Sequence, residues 1–145
     1  MKRFVRLVCI ILAVCLAAAV PAYAESQGET RASSFFLAHS ASISKQSSTL
    51  FYVCFDVVAT GAMDELGATT IEVQRSSDGE NWERMRTYRS DVYSHMLCQD
   101  TSAHGGYVTY STATPGYYYR AYITLYAKNS TGTGIRYRYT QTVLM

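Results

Sequence analysis

"GYYYRAYITLYAKN", residues 116–129, alternates with a period of two. Tyr117, Tyr119, Ala121, Ile123, Leu125 and Ala127 share one face, and Tyr118, Arg120, Tyr122, Thr124, Tyr126 and Lys128 share the other. Side chains of a strand point alternately to its two sides, so the run predicts a half-buried strand with the first set inward. Aromatic rings suit a pleated surface and pair across neighbouring strands. Tyr117 and Tyr119 are expected at the core edge with their hydroxyls reaching a partner. That leaves Tyr118, Tyr122 and Tyr126 on the solvent side, interleaved with Arg120 and Lys128.

The same period extends outward in both directions. Downstream, the loop "NSTGTG" leads into "IRYRYTQTV", a final alternating strand. Upstream, "GGYVTYS" reads as a short strand before the turn at Pro115-Gly116. "ATTIEVQRSSDGENW" places Ile71 and Val73 inward and ends in a hairpin turn at Asp78-Gly79, where glycine accepts the positive φ of a tight turn. Trp82 then starts the return strand, with its indole covering the hairpin end. In "LFYVCFDVVATG", Phe51, Val53, Phe55, Val57 and Ala59 face inward, while Cys54 and Asp56 share the wetter side. A first strand over Phe35 to Ile43 brings the total to about seven, with turn signals between them. This is the pattern of a single antiparallel β-sandwich spanning residues 35–145, all-β and without helices.

The amino end bears on destination. Lys2, Arg3 and Arg6 form a basic region, Val5 to Val20 is almost wholly apolar, and Ala22-Tyr23-Ala24 supplies the small-x-small pattern of a cleavage site. The run is shorter than the roughly 20 residues a transmembrane helix needs. Residues 1–24 therefore read as a secretory signal and 25–34 as a flexible polar leader. A lipoprotein site at Cys15 is the lesser alternative, because Val14 is bulky where a small residue is wanted. Of the 13 basic residues, three leave with the signal, so ten remain against 11 acidic ones. A chain near −1 has no electrostatic motive for nucleic acid. Secretion and no membrane association after cleavage are the expectations.

Few constellations carry chemistry. "HMLCQDTSAH" holds His95, Cys98, Asp100 and His104, all metal-ligand types, but in a spacing that matches no metal pattern. It reads as a solvated loop, with no metal and no cofactor. Cleavage removes Cys9 and Cys15 and leaves Cys54 and Cys98. Pairing is the expectation for two cysteines in an exported chain, strapping the wetter face to the loop around Cys98, with free thiols as the alternative. Serines and His39, His95 and His104 are present, but there is no Gly-x-Ser-x-Gly elbow. Asp64 and Glu65 are adjacent in a segment that reads as a loop, and neighbours on an extended chain point apart. An enzyme is not expected. Asn129-Ser130-Thr131 is formally a glycosylation sequon and reads as turn chemistry.

"IEVQRSSDGENW" and "YRAYITLYAKNSTGTG" resemble the strand-turn-tryptophan segment and the penultimate strand of fibronectin type III and immunoglobulin-like domains. Ala121 and Ile123 depart from that pattern, standing where those domains usually carry aromatics. The chain beyond residue 24 is also similar to a family of small secreted proteins of unknown function from clostridial Gram-positive bacteria. The matching pieces are "RASSFF", "VVATGAMDELGATTIEVQRSSDG", "HGGYVTY" and "GYYYRAYITLYAKN". The resemblance implies fold and export, and no activity.

The residual candidate site is the solvent-side stripe: Tyr118, Arg120, Tyr122, Tyr126 and Lys128. It suits a non-enzymatic interaction module whose partner is an unknown protein. The alternative is a carbohydrate-binding module that stacks glycan rings on the tyrosines. On the last strand Arg136 and Arg138 alternate with Tyr137 and Tyr139, so one set or the other must lie beside the stripe. Arginines would cover the rings, whereas tyrosines would enlarge an exposed aromatic patch.

Overall fold

Phe51, Val53, Phe55, Val57 and Ala59 are all buried in a computed structural model that describes residues 35–145. The expected signal (1–24) and leader (25–34) lie outside the described residues. Ile71 and Val73 are likewise inside, as are Tyr119, Ala121, Ile123, Leu125 and Ala127, so the alternation places each of these faces correctly. The strands are β1 (Phe36–Lys45), β2 (Phe51–Ser76), β3 (Glu83–Arg89), β4 (Leu97–Tyr110), β5 (Tyr118–Asn129), β6 (Gly132–Tyr139) and β7 (Val143–Leu144). Every pairing is antiparallel within one seven-stranded sheet. Among the described residues the only helical element is a 3-10 turn, Ser94–Met96, and no helix is long and apolar enough to cross a membrane.

The sheet curls around β2. Its first half pairs with β1 on one side and β4 on the other, and its second half with β5 and β3. Expected as two strands, residues 51–76 form one strand of 26 residues. Its register slips against β4 between Val58 and Met63, and against β5 between Ala68 and Thr70. The buried positions follow these slips, running odd to Met63, even at Leu66 and Ala68, then odd again at Ile71 and Val73. An extra residue in one strand bends it and exchanges its faces. Gly67 sits in this bend with φ 151°, and a Cβ there would collide with the carbonyl oxygen of Met96. Only glycine lets β2 pass so close beneath the 3-10 turn.

Curling brings the two halves over a shared core. The Phe51 ring lies 5.1 Å from that of Tyr110 and 5.3 Å from that of Tyr119. The fully buried Tyr119 finds the partner expected of it, its hydroxyl accepting the N–H of Thr114 at 2.9 Å. Two seams remain where the curled edges meet. At the β1/β6 seam the Gln141 amide treats Ile43 as a strand neighbour, its Oε1 accepting the N–H at 3.3 Å and its Nε2 donating to the C=O at 3.0 Å. Arg138 donates to His39 Nδ1 at 2.8 Å, and Lys45 Nζ to the Leu144 carbonyl at 2.9 Å. At the β3/β4 seam the Tyr88 hydroxyl donates to the Thr109 carbonyl at 2.6 Å, and His95 Nε2 lies 3.0 Å from the Tyr107 carbonyl.

Several sequence expectations need correction. "HMLCQDTSAH" is not a loop but the 3-10 turn followed by β4, and Asp64 and Glu65 lie within β2. The expected bridge is absent, since Cys54 and Cys98 are both free. Cys54 pairs across to Tyr107 and Leu66 to Cys98, so the thiols are separated by the β4 strand from 98 to 107. At strand rise that is about 30 Å, far beyond the roughly 4.4–6.8 Å between Cα atoms that a disulfide spans. The Asp78-Gly79 turn stands as expected, with φ 79° at the glycine. Asn81 side-chain and backbone donors, then Ser76 and the Glu80 amide, hold the Asp78 carboxyl far below the usual carboxylate range. Asn129 serves its turn, accepting from the Thr131 amide and hydroxyl at 2.9 and 2.7 Å.

Candidate functional site

β5 pairs with β6 so that Tyr122 faces Tyr139, Thr124 faces Tyr137 and Tyr126 faces Ile135. Residues directly opposite in a ladder project to the same side. The β6 tyrosines, not its arginines, therefore flank the β5 stripe. Arg138 turns to the other side and meets His39. The Tyr122 ring stacks on Tyr137 at 5.7 Å with 5° between planes, and meets Tyr139 at 4.7 Å and 42°. Tyr137, Tyr139 and Ile135 remain 59%, 53% and 42% exposed.

Arg120 joins this cluster to the hairpin. Its guanidinium lies 4.1 Å from the centroid of the Trp82 ring and 4.5 Å from that of Tyr139. Trp82 precedes β3 and covers this cation, where the sequence placed it over the hairpin end. Arg120 Nε donates to Gln74 Oε1 at 2.8 Å, and Gln74 Nε2 donates to Glu72 Oε1 at 2.7 Å. The other Glu72 oxygen pairs with Arg84 Nε at 2.6 Å. One connected row thus crosses the face from β3 to β6. Two cation–π contacts of about 0.5–1 kcal/mol each hold Arg120 in place. Its hydrogen-bond partner is a neutral amide, and among the described residues it has no ion pair. Burial, then Tyr137, Tyr139 and Glu72, push the Tyr122 phenol above its ordinary value, and it remains a neutral hydroxyl.

The five residues singled out from sequence share this face but not one site. Arg120 and Tyr122 lie within the row, and Tyr126 borders it through Ile135. Tyr118 stands beside the turn at Gly79, and exposed Lys128 lies at the far end opposite Thr133. From Tyr118 to Lys128 is about 33 Å of strand. Trp82, Glu72, Gln74 and Arg84 were missed as participants. Tyr137 and Tyr139 were legible as one of two registers from the alternation of "IRYRY".

The opposite outer face differs in kind. Ser40, Ser42, Cys54, Asp56, Tyr52 and Tyr107 populate it, with Tyr52 and Tyr107 tilted together at 5.1 Å. Burial, then the Asp56 charge, raise the Cys54 thiol despite a Ser42 hydrogen bond, so it stays protonated and poorly nucleophilic. The histidine rings each meet a neighbour: His39 meets Arg138, His95 the Tyr107 carbonyl, and His104 the His95 carbonyl at 2.9 Å. No group of three or more His, Cys, Asp or Glu among the described residues is arranged to hold a metal ion. No protein-family model matches the chain, and the comparison with curated proteins finds no match.

Proposed function

We propose that this chain is a secreted, non-enzymatic interaction module, built as a fibronectin type III or immunoglobulin-like sandwich, that binds a protein partner through the β5–β6 outer face. Export rests on the residues 1–24 pattern, and the family resemblance belongs to the same proposal. The observation that carries the binding reading is the register placing exposed Tyr137 and Tyr139 beside Tyr122. Contiguous exposed apolar surface of this kind marks interaction sites, and aromatic residues with arginine are the types enriched in protein interfaces. The charge of Arg120 favours an acidic partner surface.

The carbohydrate reading has an observation in its favour: Glu72 and Gln74 border the aromatics, as sugar hydroxyls require. Two features weigh against it. Tyr122 and Tyr137 spend ring faces on each other, and the Glu72 and Gln74 side chains are already engaged with Arg84 and Arg120. A Tyr137→Ser, Tyr139→Ser double variant should keep its melting temperature within a few degrees while losing salt-sensitive capture of its extracellular protein partner. Saturable glycan-array binding abolished by Tyr137→Ala would give the site to carbohydrate instead.

A further inference from the structure

Three arginines on β2 and β3 have carboxylate partners. Arg75 pairs with Glu83 at 3.0 Å, Arg84 with Glu72 at 2.6 Å and Arg89 with Asp91 at 3.1 Å. Arg86, amid them on β3, has no ion pair among the described residues. It faces a cleft of about 400 Å³ at the β3/β4 seam, lined also by Tyr88, Tyr93, His95, Tyr107 and Thr109. The cleft lies where β3 and β4 each pair with β2 but not with each other, the Tyr88 hydroxyl reaching β4 from β3 and His95 reaching it from the 3-10 turn. No Asp or Glu lines it.

The cleft is held in shape. Arg86 lies over the Tyr88 ring at 4.7 Å and donates through Nη2 to the Tyr93 hydroxyl at 3.0 Å. Tyr93 packs edge-on against Tyr88 at 5.2 Å and against His95 at 6.3 Å. Tyr93 oxygen accepts from Arg86, so its own O–H is left to donate into the cleft. A planar guanidinium with further N–H groups and an adjacent phenolic donor match the two oxygens of a carboxylate. Aromatic walls match a flat ring, and the volume lies within the roughly 300–1,000 Å³ of small-molecule sites.

We propose that this cleft binds a small aromatic carboxylate, its anionic group on Arg86 and the Tyr93 hydroxyl and its ring among the tyrosines. The site is separate from the β5–β6 face, so either can fail without the other. NMR titration of the purified protein tests it, with benzoate and indole-3-acetate as probes and benzyl alcohol and acetate as controls. Both probes should give saturable shifts at Tyr93, His95 and Tyr107, and both controls should bind at least tenfold more weakly. Arg86→Met should weaken benzoate at least tenfold, with Arg86→Lys recovering only part. If Arg86→Met does not fold, Tyr93→Phe takes its place, with a several-fold loss expected. No saturable shifts at the cleft, a control that binds as well as benzoate, or variants that bind like the parent would overturn the proposal.

Discussion

The two seams of the curled sheet are closed by different means. At β1/β6 three separate side chains, Gln141, Arg138 and Lys45, each bind across the gap, and all of them are exposed. At β3/β4 a buried phenol and a histidine reach two β4 carbonyls, and a cleft opens beside them. Several exposed contacts make one seam redundant. Reliance on one buried contact leaves the other open enough to admit a ligand, and makes that contact harder to replace.

The largest expected effect follows from that contrast. Tyr88→Phe removes only an oxygen but strips the Thr109 carbonyl of its donor, and should cost about 1–3 kcal/mol in denaturant unfolding. Gln141→Ala deletes two hydrogen bonds of an exposed side chain to the Ile43 backbone and should cost about 1 kcal/mol, because His39–Arg138 and Lys45 still hold the seam. A Gln141→Ala loss larger than that of Tyr88→Phe would break the comparison. The smallest effect is a pH dependence confined to the β1/β6 seam. Burial, then the charges of Arg138 and Arg136, lower the His39 pKa from its ordinary value. The unfolded chain therefore takes up that proton first. The stability contribution is whole above the ordinary histidine range and is lost as pH falls through the folded value. Thermal melts between about pH 7 and pH 5 should fall more steeply in the parent than in His39→Gln. Equal slopes would detach His39 from the seam.

Much of this architecture is legible along single strands. Phe51 to Ala59 and Tyr119 to Ala127 announce their buried faces because a straight pleat preserves parity. Parity fails where β2 slips register, so the segment around Asp64 and Glu65 reads as a loop when it lies inside a bending strand. His95 to His104 reads as a loop because β4 is an edge strand there, wet enough to carry Gln99 and Asp100. The stripe on β5 was legible as a face, but its neighbours depended on a pairing that no local pattern encodes. Arg86, Tyr93 and Tyr107 escaped notice for the same reason: they meet only where β3 and β4 each pair with β2 but not with each other.

The amide of Gln141 lies 98 positions from the Ile43 backbone it serves, and Arg138 lies 99 from His39. Contacts of such separation close very long loops, and their entropy must be met before they contribute anything. The hairpins of β2 with β3 and β5 with β6 can form early, whereas β1 cannot meet Gln141 until nearly the whole chain is available. A polypeptide made amino end first would thus carry one edge of β1, the edge away from β2, unmatched until Arg138 and Gln141 arrive. Residues 138–144, rather than the core, would set the moment at which the sheet closes on itself.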